Sequence, residues 1–247
     1  MPYLVAPVMG TTVSIDVRDD DVPAATLEAA VQALRELEAR FTTYRVDSEV
    51  KRVERGELAL ADAHPDVREV LAACAVLRAE SGGAFDAWRD GSLDPSGYVK
   101  GWAAERAADV LRRGGARDFT LNLGGDVICA RESAAETPWR VGVRHPADPQ
   151  RMALVLGVRA GAVATSGLYE RGDHVVDART GRPATDWRSI TVLAPDLATA
   201  DAVATAALAI GAVGPAWAAR RPGCDVAAIG PEGRLWTTAG LERSRLT

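Results

Sequence analysis

Material for disulfide pairing is scarce in this chain: its three cysteines, Cys74, Cys129 and Cys224, are odd in number, far apart and never arranged as CxxC. They read as buried thiols rather than as a disulfide framework or a metal site. A basic stripe is missing too. Lysine and arginine total 29 against 34 aspartate and glutamate, for a formal charge of -5, and the signs are interspersed. That speaks against a nucleic-acid groove while leaving room for a small anion bound locally. No window approaches a membrane-spanning apolar run, and the opening "MPYLVAPVMGTTVSIDV" lacks the basic and long apolar regions of an export signal. The closing "LERSRLT" carries no address or lipidation box. The expectation is a cytoplasmic protein with no membrane insertion. There is no fixed-period repeat and no low-complexity linker. What remains is 247 residues, 47% of them hydrophobic and 26% charged. That is enough for a real core in one large domain or two small, closely packed ones.

Periodicity gives the elements. "TTVSIDV" alternates as a strand with one buried face, and Val22 to Tyr44 places Leu27, Val31, Leu34, Leu37 and Phe41 at helical steps. Val67, Val70, Leu71, Cys74 and Leu77 repeat that period from about Pro65 to Ser81, and a further helix is expected from Val99 to Arg113. A strand pair is expected around "DFTLNLGGDVICA" and "WRVGVRH", two strands in "RMALVLGVRAGAVATSG", and one in "SITVLAP". "LATADAVATAALAIG" reads as a late helix and "DVAAIGPEGRLWTT" as a hairpin. Helices and strands mix without strict alternation, which predicts an α+β fold.

Polar or flexible residues interrupt the apolar elements in four places. "LDPSGYVKG" can offer backbone groups around Ser96 and Gly97 and a point charge at Lys100, or it is simply a glycine-containing helix start. "LNLGGDV" holds Gly124 and Gly125 either for an ordinary turn or for close backbone approach. "ATSGLYERGDHVVDARTGRP" gathers Thr165, Ser166, Tyr169, His174 and Asp177 in a loop-rich stretch, where binding residues concentrate. In "TADAVATAALAIG", Asp201 and Thr205 stand four apart on one helix face. They can share a hard cation, or Thr199 or Asp201 caps the helix.

The ordered set "MGT", "FTTYRVDSEV", "SGGAFD", "LDPSGYVKG", "LNLGGDV", "ATSGLY", "HVVDARTGRP", "SITVLAP" and "ADAVATAALAIG" resembles the ApbE-type family, the FAD:protein FMN transferases, from about Met9 to Gly211. The resemblance implies Mg²⁺-dependent transfer of the FMN moiety of FAD to a Thr or Ser hydroxyl of a target flavoprotein, with AMP released. It implies a single transferase domain over 1–247, with mainly antiparallel sheets, flanking helices and the flavin in a crevice between two subdomains. Carried over residue by residue, the metal ligands would be the Gly97 carbonyl, Asp201 and Thr205. Flavin contacts would come from Met9, Tyr44, Asp86, Lys100 and Ala184, and His174 would take the proton from the incoming hydroxyl. By this reading the helix start is flexible so that its backbone bends to offer a carbonyl to the metal.

Two departures from the family pattern stand out. "FDAWRDGS" runs directly into "LDPSGYVKG" where many members carry "FDPTVGP" and an insertion, so one pocket wall is shortened or replaced by Trp88. Ala204 stands where some members have another Asp. The same residues would serve an FAD pyrophosphatase yielding FMN and AMP. A third reading is a non-catalytic FAD-binding protein, against which Asp201, Thr205 and His174 speak, because a flavin store needs neither the metal nor a base.

Overall fold

The computed structural model describes residues 1–133, 137–168 and 175–246, without the side chain of Pro149. Its frame is an eight-stranded sheet made of β1 (Tyr3–Val8), β2 (Thr11–Val17), β5 (Phe119–Leu123), β6 (Asp126–Ala130), β9 (Gly161–Gly167), β12 (Ser189–Ala194), β13 (Asp225–Ile229) and β14 (Leu235–Thr237), adjacent in that order. Every pairing in it is antiparallel. The predicted α+β architecture is therefore present, as antiparallel strands flanked by helices.

The alternation of the strands sorts side chains between two layers. Val13, Ile15 and Val17 of β2, Phe119, Leu121 and Leu123 of β5, and Ile190 and Val192 of β12 join the larger core. Against them pack α1 (Ala24–Phe41), α3 (Pro65–Glu80), α4 (Ser96–Arg113) and α5 (Leu197–Ile210) through Leu27, Leu34, Val70, Leu111 and Leu197. Cys129, Val163 and Ala227 point the other way, into a smaller core. That core is covered by a separate hairpin, β7 (Trp139–His145) with β8 (Asp148–Val158), and by Leu241 of a short C-terminal helix, Ala239–Ser244.

The predicted helices form, with shifted ends. Pro23 stands before the first turn of α1, and Thr42 ends the helix short of Tyr44. A short helix, α2 (Glu49–Glu54), and a two-stranded ribbon, β3 (Trp88–Arg89) with β4 (Ser92–Leu93), are not visible in the hydrophobic pattern. A second ribbon pairs β10 (Val176–Asp177) with β11 (Arg182–Pro183). One pairing differs from expectation. "DFTLNLGGDVICA" folds on itself as β5 and β6, and "WRVGVRH" pairs with the strand after it. Gly124 and Gly125, at φ +63° and +101°, form the two-residue turn that makes this possible.

The three cysteines are free and buried, as expected. No helix among the described residues is long and apolar enough to cross a membrane.

Candidate functional site

Helix α4 starts earlier than predicted. Pro95 occupies the position before its first turn and the Asp94 carboxylate accepts from the Ser96 amide at 3.0 Å, so Ser96 and Gly97 are already helical. Where a flexible, bent helix start was expected there is thus a regular first turn, with the Ser96 amide held by Asp94. Glycine at 97 answers a need for space: a Cβ there would lie 3.0 Å from the Phe85 ring and 3.2 Å from the Thr205 methyl.

One turn on, α4 and α5 approach closely at Gly101, where a Cβ would collide with the Leu197 carbonyl oxygen and lie 2.8 Å from Asp201 Cβ. Two bonds tie the helices together there. The Gly101 amide donates to Asp201 Oδ2 at 3.0 Å, and the Leu197 amide donates to Glu105 Oε1 at 2.6 Å. Asp201 is thereby fixed against the backbone of α4 one turn after Gly97.

Asp201 does not cap its helix. Asp196 does, accepting from the Thr199 amide at 2.7 Å and the Thr199 hydroxyl at 2.9 Å. Asp201 instead lies buried inside α5 beside Lys100, whose Nζ is 3.5 Å from Asp201 Oδ1 and 2.5 Å from Oδ2 of Asp126. Burial pushes the Asp201 carboxyl up, to about 7; the Lys100 charge opposes that rise and the Asp126 charge reinforces it. Thr205, one turn along α5, shares a 3.0 Å hydroxyl contact with Ser166 of β9.

Asp126 is the member of this cluster that sequence reasoning missed. It opens β6 just after the double-glycine turn, on the helix-facing side with Ile128, and is 2% exposed. Its Oδ1 accepts from the Thr165 amide at 3.0 Å. Its Oδ2, although close to Lys100, has no aligned hydrogen-bond donor among the described residues. The quoted "LNLGGDV" already held this residue. What it could not show is that the turn aims its carboxylate at a lysine on a distant helix.

The structure draws Gly97, Lys100, Asp201 and Thr205 together and leaves the other predicted contacts on separate segments. Met9 sits in the β1–β2 turn with a left-handed φ of +54°. Tyr44 is 96% exposed in the loop after α1. Asp86 accepts from Arg78 Nε at 2.6 Å and from the Trp88 amide at 2.9 Å. Ala184 is buried, its amide donating to the Val175 carbonyl at 3.1 Å. Trp88 stands exposed on the short β3–β4 ribbon. Ala204 is buried in the core. His174 and Tyr169 lie outside the described residues.

A cation fits the cluster on its own chemistry. Two carboxylates share one nearby ammonium in a buried place, which leaves an excess of negative charge, and the Thr205 and Ser166 hydroxyls meet one turn along α5 from Asp201. Among the described residues no group of three or more His, Cys, Asp or Glu side chains gathers to hold a metal. A hard, oxygen-seeking ion taking mixed ligands suits the arrangement better than a soft one.

The model of the ApbE family matches residues 9–90 and 87–229. The FAD:protein FMN transferase of Treponema pallidum is 34% identical over 168 residues, which cover 60% of this chain and 46% of that protein. The protein of the same name from Rhodobacter capsulatus is 38% identical over 123 residues, or 46% of this chain and 23% of that one. These matches span less than half the length of the curated relatives. Among solved structures, the ApbE protein of Thermotoga maritima superposes with a TM-score of 0.87 at 22% identity, covering 99% of both chains. The flavin transferase ApbE of Vibrio cholerae gives 0.83 at 22% identity, covering 98% of both. Identity that low establishes likeness of fold alone.

Proposed function

The chain belongs to the ApbE family, and from that premise we propose that it transfers the FMN moiety of FAD to a Thr or Ser hydroxyl of an acceptor flavoprotein, releasing AMP. The observation that carries this reading is the buried cluster of Lys100, Asp126 and Asp201 beside Thr205. The relatives named FAD:protein FMN transferase supply the reaction class. The 247 residues act in this proposal as one domain, with the flavin in a crevice between two subdomains. Three free, buried cysteines suit a reducing compartment, and the cytoplasm is the proposed setting.

Asp201, Thr205 and the Gly97 carbonyl are the proposed ligands of Mg²⁺, which when bound would neutralise charge on the pyrophosphate. Lys100, fixed at the head of α4, offers its ammonium to the same phosphates. Met9, Tyr44, Asp86 and Ala184 are the proposed flavin contacts. His174 accepts the proton of the acceptor hydroxyl as its oxygen bonds to the FMN-side phosphorus. The bond from that phosphorus to the bridging oxygen breaks, and AMP departs with that oxygen.

The test mixes the purified chain with FAD, Mg²⁺ and an acceptor domain and weighs the acceptor by mass spectrometry. A gain of one FMN, lost in Asp201→Ala, is the expected result. Free FMN and AMP with an unmodified acceptor would replace transfer by hydrolysis, and intact bound FAD would leave only a binding protein.

A further inference from the structure

Lys100 is shared unequally between its two carboxylates. Its Nζ lies 2.5 Å from Asp126 and 3.5 Å from Asp201. Asp201 has committed Oδ2 to the Gly101 amide, so Oδ1, the oxygen facing Lys100, is the one left for a cation. An ammonium that closed on that oxygen would occupy the ligand position and repel an incoming divalent ion. Asp126 is well placed to prevent this. It is rooted in β6, its Oδ1 is held by the Thr165 amide of the neighbouring strand, and its Oδ2 has no aligned donor to compete with Lys100. Its orientation is thus set by the sheet, while Asp201 is set by the helix pair, and the lysine between them is pulled toward the sheet.

We propose that Asp126 is a positioning residue that draws the Lys100 ammonium away from Asp201 Oδ1 and so keeps that oxygen available to a divalent cation. The inference rests on the metal reading above. It adds to that reading a residue that touches neither metal nor substrate and acts through Lys100. Without Asp126, Asp201 becomes the nearby carboxylate onto which the ammonium closes, and metal and lysine compete for one oxygen.

The decisive variant is Asp126→Asn, which is isosteric and keeps an oxygen to accept from the Thr165 amide. Calorimetric titration of the full chain with Mn²⁺ or Mg²⁺ is expected to show affinity reduced roughly 10- to 100-fold, the usual effect of removing a partner that orients a metal ligand. A crystal structure of the metal-free variant should show Lys100 Nζ within hydrogen-bond distance of Asp201 Oδ1, about 2.8 Å. Adding Lys100→Met to Asp126→Asn should bring affinity back to within about threefold of the starting protein, because the competitor has gone. Lys100→Met alone should leave metal affinity within about threefold of the starting protein, because Asp126 already holds the lysine off that oxygen. Should Asp126→Asn not fold by circular dichroism, Asp126→Ser supplies the same test, with the same loss of affinity and the same recovery on adding Lys100→Met. Unchanged metal affinity in the Asp126 variant, an unmoved lysine, or no recovery in the double variant would overturn the proposal while leaving the metal site intact. Failure of the unaltered chain to bind either ion would overturn the metal reading itself, and this inference with it.

Discussion

Single residues in this protein hold conformations and charges that stability alone would not select. Met9 is the plainest case. A left-handed φ of +54° suits glycine better than methionine, by roughly 1–2 kcal/mol. Met9→Gly should therefore leave thermal stability unchanged or slightly raised while weakening FAD binding. Equal FAD affinity in a fluorescence titration would remove Met9 from the flavin contacts. Asp201 makes a parallel case through charge. Burial raises its folded pKa to about 7 from an ordinary 3.8, so the metal-free folded state holds a proton that the unfolded chain gives up. The stability linked to that proton is fully present below pH 3.8 and is lost as pH rises through about 7. Asp201→Asn should lack this decline, gaining on the unaltered protein between pH 5 and pH 8 in metal-free urea denaturation. An identical pH dependence in the two would refute the raised carboxyl. The difference between Asp201 and Asp126 also marks what sequence can reveal. Asp201 and Thr205 could be picked out because helical geometry alone puts positions four apart on one face. Asp126 meets Lys100 only once a sheet and a helix layer have been assembled.

At the scale of elements, regular periodicity was legible and the points where elements meet were not. Leu27, Val31, Leu34 and Leu37 announce α1, yet nothing local shows that α4 begins at Ser96 or that Gly97 and Gly101 are small because Phe85, Thr205 and α5 press against them. For the two-residue turn between β5 and β6 the glycine pair alone permits either an ordinary turn or a close approach, and the structure has both. Gly124 has φ +63°, and a Cβ on it would lie 2.9 Å from the Thr11 hydroxyl. Gly124→Ala should thus cost roughly 1–2 kcal/mol for the left-handed backbone alone, read as a lower urea midpoint. Because this turn aims Asp126, metal affinity should fall as well. A variant as stable as the parent would show that the turn accepts a side chain and does not set the strand entry.

The whole molecule separates its chemistry from part of its stability by putting them on opposite faces of one sheet. Lys100, Asp126, Asp201 and Thr205 lie on the face covered by α4 and α5, with the larger core around them. The smaller core beneath the β7–β8 hairpin holds Val141, Val143, Leu154, Leu156 and Leu241 and contains none of the described site residues. Leu156 is fully buried there, and truncating such a leucine removes apolar burial and leaves a cavity, at about 2–5 kcal/mol. Strands β6, β9 and β13 are common to both layers, since Cys129, Val163 and Ala227 face the hairpin while Ile128, Ala162 and Val226 face the helices. The sheet therefore either insulates the site from the hairpin or transmits its loss. Close packing of the helix layer and the two hydrogen bonds between α4 and α5 favour insulation, because they position Asp201 without help from the far face. Leu156→Ala is accordingly expected to lower the urea midpoint strongly while Mn²⁺ affinity, measured where the variant is still folded, stays within about twofold of the parent, as for independent sites. A parallel fall in affinity would mean that the hairpin helps hold β6 and Asp126 in place, and that the two faces of the sheet work as one unit.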